Sequence, residues 1–192
     1  MPERFVISDT HFGHQGVCEF LRDDGVTKLR PFATAEEMDE HLIDRWNSRV
    51  GVRDKIYHLG DVAISRRALA TLARLRGDKV LIKGNHDIYQ LREYHQYFRD
   101  IRAYHVQDGL IMSHIPVHDS ALYRFGANIH GHLHARRVTL TDGVTVDPRY
   151  LSVCVEQTDW APLSWDEALD RIRAQGGVVG FRKDRKSTRL NS

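Results

Sequence analysis

At five places along this chain, at or just after the end of a run that reads as a strand, a glycine or serine is followed at once by aspartate, asparagine or histidine. The five sites are Ser8-Asp9, Gly60-Asp61, Gly84-Asn85, Ser113-His114 and Gly131-His132. The first four close short apolar runs that read as strands. The fifth lies in Ile129-His130-Gly131-His132-Leu133-His134, where a glycine permits a tight turn and two imidazoles stand two residues apart. A chain that delivers nitrogen and oxygen ligands from several strand ends must gather those ends at one edge of a sheet. There a rigid scaffold can hold them, and ligands bind outside the carboxyl ends of strands in α/β sheets.

The rest of the chain fits that constraint. Arg4–Ser8 reads as a buried strand running into Asp9-Thr10-His11-Phe12-Gly13-His14. Thr34 and Glu37 form a capping box for a helix whose apolar face is Met38, Leu42, Ile43, Trp46 and Val50. Lys55–Leu59 is the next strand, and Ser65 caps a second helix that turns Leu69, Leu72 and Leu75 inward and ends at Gly77. Lys79–Lys83 is a third strand. This alternation predicts an α/β sheet with crossover helices. Beyond residue 100 the pattern predicts a strand-rich, mostly antiparallel half. Ile101–Val106 would pair with Leu110–Ser113 around Asp108-Gly109, and Arg137–Leu140 with Val144–Val146 around Asp142-Gly143. Leu151–Val155 adds a strand, and Ser164 with Glu167 caps a late helix through Ala168, Leu169 and Ile172. Residues 1–180 read as a single domain, consistent with a 192-residue chain. The polar, basic stretch 181–192 reads as a disordered tail or a sequence artefact.

Composition narrows the chemistry. Twelve histidines occur, where about four would be expected at ordinary usage, and histidine is the commonest metal ligand. The two cysteines, Cys18 and Cys154, form no Cys-x-x-Cys pair. They give no thiolate zinc site or disulfide framework and fit a reducing cytoplasm. A net charge of +2 does not argue for nucleic acid or membrane, and no apolar run or signal peptide points to one. Each ligand motif also has a plainer reading. Gly-Asp after a strand is a common turn, Gly-Asn-His-Asp can use Asn for a left-handed residue, and alternating histidines can share one strand face. All five in order, each at a strand end, favour a centre of two divalent ions.

With those residues in view, the chain resembles the calcineurin-like metallophosphoesterases, whose five-block signature spans roughly Phe5 to Leu140 here with no block missing. The wording Ser8–His14, with Arg30-Pro31-Phe32 and Trp46-Asn47, is similar to small uncharacterised phosphoesterases of bacteria and their phages. The resemblance implies an α/β fold, a two-layer β-sandwich of mixed sheets flanked by helices in four layers. It implies that Asp9, His11 and His134 hold one ion, that Asp61 bridges, and that Asn85, His114 and His132 hold the other. Mn²⁺ is the expected ion, with Fe, Zn, Ni and Mg as alternatives. Hydroxide bridging the ions would attack phosphorus, His86 would protonate the leaving group, and Asp87 would orient the His86 imidazole.

The expected activity is hydrolysis of phosphodiesters, with phosphomonoesters as the alternative. The substrate would be a small phosphate ester or nucleotide, with nucleic-acid ends a weaker choice. The protein-phosphatase triplet Asp-Arg-Gly does not follow Asp61, which runs into Val62-Ala63-Ile64-Ser65-Arg66. A silent metal-binding scaffold is the rival from another class, but such proteins lose the proton donor or a bridging carboxylate, and His86 and Asp61 are both present. For gripping substrate, His14, Arg30 and Arg66 are the candidates, against the plainer reading of the arginines as surface charges. His118 could line the pocket or sit in solvent. His130 and His58 read as packed residues.

Overall fold

The computed structural model describes residues 2–181; the predicted tail, apart from Phe181, lies outside them. Strands β1 (Arg4–Ile7), β2 (Lys55–His58), β3 (Asp78–Ile82), β4 (Asp100–Arg102) and β9 (Leu163–Ser164) form one sheet in the order β4-β3-β2-β1-β9. All its pairings are parallel except β1 with β9. Strands β5 (Tyr104–Gln107), β6 (Leu110–Ser113), β7 (Asn128–His130) and β8 (Tyr150–Ser152) form a second sheet in sequence order.

The two sheets pack face to face because successive residues of a strand point to opposite faces. Val6, Tyr57, Val80 and Ile82 of the first sheet meet Leu110, Met112, Ile129 and Leu151 of the second in one apolar layer, closed at one side by α3 (Trp165–Ala174), which follows the single-turn helix α2 (Leu91–Tyr94). Phe5, Ile7, Ile56 and Leu81 point the other way, into a layer formed with α1 (Ala35–Arg49) through Met38, Leu42 and Trp46. Burial on both faces is why β1 reads as a continuous apolar run. The outer face of the second sheet is covered through Leu122 by a 3-10 turn, Asp119–Tyr123, together with loops. Among the described residues no helix is long and apolar enough to cross a membrane.

Caps fall where the sequence places them. The Thr34 hydroxyl accepts from the Glu37 N–H at 3.1 Å, while the Glu37 carboxylate reaches back to the Ala33 N–H at 2.8 Å. Ser164 and Glu167 bond reciprocally at the start of α3. The second helix departs from this: its N-cap is Arg66 rather than Ser65, and the segment is a 3-10 helix, Arg67–Arg74, rather than an α-helix, although Ser65 accepts from the Ala68 N–H at 3.2 Å. Trp46 is wholly buried and donates its indole N–H to the Arg76 carbonyl at 2.9 Å. Trp46→Phe keeps a ring but leaves that carbonyl unpaired, so thermal unfolding should show a loss of about 1–3 kcal/mol.

The second half departs from expectation. Residues 101–106 are not one strand: Ile101 belongs to β4 beside β3, and the chain crosses at Ala103 into β5 of the other sheet. Only β5 and β6 form an antiparallel hairpin; β6, β7 and β8 are parallel. The long connections 114–127 and 131–149 return the chain in the same direction, as parallel pairing demands. The predicted hairpin around Asp142-Gly143 is a turn within the second of these connections. It keeps one bridge, Thr139 to Val146, and the Asp142 carboxylate accepts from the Val144 and Thr145 N–H groups. After Ser152 the chain leaves β8 and crosses to the end of β1, where the Ser8 N–H donates to the Val153 carbonyl at 2.9 Å.

Candidate metal centre

The five motifs converge at the carboxyl ends of β1, β2, β3, β6 and β7. The loops are laced together by main-chain bonds. Asp9 donates to the Gly60 carbonyl, His11 to the Asp61 carbonyl, and Gly131 to the His114 carbonyl, at 3.0, 3.0 and 2.9 Å. Ligand side chains complete the lacing: Asp9 Oδ2 accepts from the His132 N–H at 2.9 Å, and Asp61 Oδ1 from the His86 N–H at 2.8 Å. Such close approach needs glycine. A Cβ at Gly84 would stand 2.2 Å from Asp61 Oδ1, and one at Gly131 would stand 2.4 Å from Asp9 Oδ2.

Backbone strain concentrates at the same place. Among the described residues eight non-glycine residues have positive φ, and five of them are Asp9, His11, Asp61, His132 and His134. A left-handed non-glycine residue costs on the order of 1–3 kcal/mol and persists where its surroundings hold it, commonly at functional sites.

Two groups of donor atoms result, Asp9–His11–His134 and Asp61–His114–His132, each within a 4.8 Å compass. Asn85 joins the second group, its Oδ1 lying 2.8 Å from His114 Nε2 and 2.9 Å from His132 Nδ1. Asp61 Oδ2 stands between the groups, 3.6 Å from His11 Nε2 and 3.4 Å from His114 Nε2. His114 donates Nδ1–H to the Leu59 carbonyl at 2.7 Å, and His134 Nδ1 faces Glu156 Oε1 at 3.0 Å. With Nδ1 so engaged, each neutral ring presents an Nε2 lone pair to the cluster, the usual outer-sphere arrangement of a ligating histidine.

These residues fit divalent cations. Lone pairs of His114 and Asn85 and a carboxylate oxygen of Asp61 face one another, a contact that a cation between them resolves. Asp9 Oδ1 and both ring nitrogens of His11 are buried without a hydrogen-bond partner, although buried polar groups are ordinarily satisfied. Both carboxylates stay ionised: burial pushes Asp9 up, but the protonatable rings packed around it, His11 at 3.7 Å with His114 and His134, carry it far below the carboxylate range. Asp61 is likewise lowered, with burial outweighed by the His114 ring 3.4 Å away.

The outlying candidates divide. His86 is exposed, its ring 5.5 Å from that of His11. Asp87 does not orient it. The Asp87 carboxylate accepts instead from the N–H groups of Asp61, Val62 and Gly84 at 2.8–3.0 Å, which pins the Gly60-Asp61 turn to the Gly84 loop. His14 joins the cluster with its ring 5.5 Å from that of His11, and burial lowers its pKa to about 4. Arg30 is fully buried and cannot reach substrate; it bonds the Asp9 and Thr10 carbonyls and Glu156. Arg66 pairs with Glu93 at 2.7 Å and lies over the Tyr89 ring, engaged away from the ligands. His118 caps the Asp119–Tyr123 turn in solvent. His130 is packed, with Nδ1 on the Gly131 carbonyl, and His58 is buried with Nε2 on the Thr10 hydroxyl.

Sequence reasoning passed over Glu156, which is fully buried between His134 and Arg30. Its signal was the one used elsewhere, an acidic residue just past an apolar run, but without a neighbouring histidine.

The two packed sheets and the two donor groups match what the resemblance to the calcineurin-like metallophosphoesterases implies. The chain belongs to the family of the uncharacterised protein MJ1445 of Methanocaldococcus jannaschii, with which it is 33% identical over 183 residues, 93% of this chain and 96% of that one. It is also 34% identical over 94 residues to the gene 66 protein of Mycobacterium phage L5, 45% of this chain and 41% of the phage protein. The fold is shared with AQ665, a crystal structure of a protein of unknown function from Aquifex aeolicus. That likeness has a TM-score of 0.67 and 23% identity, covering 90% of this chain and all of the other. No protein-family model matches the chain.

Proposed function

We propose that the protein is a dinuclear metal-dependent phosphoesterase that hydrolyses phosphodiesters, with monoesters the second substrate class. The observation that carries the reading is the position of Asp61 Oδ2 between His11 of one ligand group and His114 of the other. Asp9, His11 and His134 would hold one ion, Asn85, His114 and His132 the other, and Asp61 both. When bound, two such ions neutralise the phosphoryl oxygens and acidify water enough for hydrolysis near neutral pH. Oxygen and imidazole donors without thiolate suit Mn²⁺, the ion we expect to support turnover, ahead of Fe, Zn, Ni and Mg.

The protein's own part is positioning and proton delivery. His86 is held by its main-chain N–H on Asp61, leaving its ring exposed above the ligands to give a proton to the departing oxygen. His14, beside His11, is the remaining candidate for contact with substrate. His86→Ala should lower kcat by about 10²–10⁴-fold, equivalent to roughly 3–5 kcal/mol of barrier. An ester with an alkoxide leaving group should suffer more than a p-nitrophenyl ester, because p-nitrophenolate departs without a proton. Equal losses on both would remove His86 from the proton-donor role.

The deciding experiment is hydrolysis of bis-p-nitrophenyl phosphate and p-nitrophenyl phosphate by metal-stripped protein, with and without added Mn²⁺. Mn²⁺-dependent cleavage favouring the diester is expected. No turnover with two ions bound per chain would favour a metal-binding scaffold and overturn the proposal.

A further inference from the structure

Two segments enclose a cavity of about 560 Å³ directly beside the candidate metal centre. One wall is the loop that carries His132 and His134, continuing through Leu133 to Arg136. The other is the flap formed by residues 20–29, with Phe20, Leu21 and Leu29 lining the space. The flap is a built wall. The Leu29 N–H donates to the Phe20 carbonyl at 2.7 Å and the Arg22 N–H to the Thr27 carbonyl at 2.8 Å. Asp24 accepts from the Val26 and Thr27 N–H groups at its tip. Arg136 reaches across to Asp23 through Nε, 3.0 Å from both carboxylate oxygens, and latches the flap to the ligand loop.

The lining describes what could sit there. Phe20 and Leu21 are 53% and 52% exposed, two adjacent large apolar side chains that stand uncovered beside a cluster of histidines and carboxylates. Their surroundings are polar: Arg22, Asp23, Asp24 and Arg136 all border the same space. An acyl chain would bring no polar atom to those groups and would cover them from water. A second phosphate would meet the carboxylates of Asp23 and Asp24, and like charges brought together suppress binding. A neutral planar ring with hydrogen-bonding groups on its edge satisfies both features, since its face can lie on Phe20 and its edge can meet the rim. The volume falls in the range of roughly 300–1,000 Å³ usual for small-molecule sites. A second cavity of about 310 Å³, near His130 and Tyr150, contains none of the candidate ligands and does not adjoin the chemistry.

We propose that this cavity receives the base of a nucleoside phosphate ester whose phosphorus lies at the metal centre, with Phe20 as the stacking surface. The assignment rests on the phosphoesterase reading and specifies its substrate class. Stacking of a base on an aromatic side chain is worth enough to change affinity by about tenfold or more.

The test is calorimetric binding to the full-length, Mn²⁺-loaded protein. The ligands are methylphosphonate and the phosphonate analogue of thymidine 5′-monophosphate, in which carbon replaces the bridging oxygen so that neither is hydrolysed. The nucleoside ligand should bind about tenfold or more tightly than methylphosphonate. Phe20→Ala should erase most of that preference and leave methylphosphonate affinity unchanged, while Phe20→Trp should retain it. Equal affinities in the unmodified protein, or a proportional loss of both ligands in Phe20→Ala, would overturn the proposal. Turnover of bis-p-nitrophenyl phosphate is read separately. Base-dependent binding without turnover would sink the phosphoesterase reading and leave the base site standing; turnover without base preference would do the reverse.

Discussion

Asp61→Asn is expected to lower Mn²⁺-dependent diester hydrolysis by about 10⁴-fold or more, on the order of 5.5 kcal/mol of barrier. The size follows from position. Asp61 Oδ2 is the atom that faces both ligand groups, so an amide there weakens the hold on two ions at once. The exchange is nearly isosteric, and an acceptor oxygen is retained for the His86 N–H that now bonds Oδ1. Folding without metal should therefore change little. In the metal-free protein the Asp9 charge acts against the Asp61 charge, and removing one of them offsets part of what is lost with the His114 contact. The signature is a contrast. Metal-free protein should unfold within about 1 kcal/mol of the unmodified chain. The stabilisation added by Mn²⁺, about 2.7 kcal/mol for each site at a hundredfold excess over Kd, should be reduced. An Asp61→Asn protein that keeps full activity and two tightly bound ions would refute the bridging role.

Most of this candidate centre was legible because each motif sits where a local rule marks a strand end. β1, β2, β3 and β6 are short apolar runs, and the glycine or serine closing each is followed directly by a side chain of a type that can bind metals. The first sheet was legible for the same reason, since parallel strands alternating with caps and helical faces leave a local imprint. The second sheet was not. Asp142-Gly143 does make a turn, and only contacts distant in sequence reveal that it lies inside a crossover between parallel strands. Residues 101–106 look like one strand because nothing local at Ala103 announces a change of sheet. Functional errors have the same origin. Charge alone marks Arg30 and Arg66 as candidates for gripping phosphate, whereas their roles depend on Glu156 and Glu93, distant in sequence. Adjacency pairs Asp87 with His86, yet its carboxylate serves main-chain amides 25 and 26 residues away.

The largest effect on stability should come from Arg30→Met. The Arg30 guanidinium and Glu156 carboxylate are both fully buried and 2.8 Å apart, and Arg30 also donates to the Asp9 and Thr10 carbonyls at 2.6 and 2.9 Å. One side chain thus holds the main chain of the Asp9–His11 loop and neutralises the carboxylate on which His134 rests. Methionine fills much of the volume but abandons two carbonyls and leaves Glu156 as a buried charge with only His134 as partner. Breaking such a pair costs about 3–5 kcal/mol, so Tm should fall by roughly 6–20 °C at 2–4 °C per kcal/mol. Much of that cost is the stranded charge, so Arg30→Met combined with Glu156→Gln should be more stable than Arg30→Met alone. The pH dependence separates the two explanations further. In the unmodified protein burial pushes Glu156 up, but Arg30 and His134 bring it below the ordinary glutamate range. A carboxylate with a depressed folded pKa stabilises above its unfolded pKa, and that contribution fades as pH falls through the folded value. Without Arg30, burial dominates and the folded pKa rises above the unfolded one. The variant's deficit should then shrink as the solution is acidified through the glutamate range. A deficit that stays constant with pH, together with a double variant no more stable than Arg30→Met, would mean that lost packing and lost carbonyl bonds, and not the charge on Glu156, set the cost.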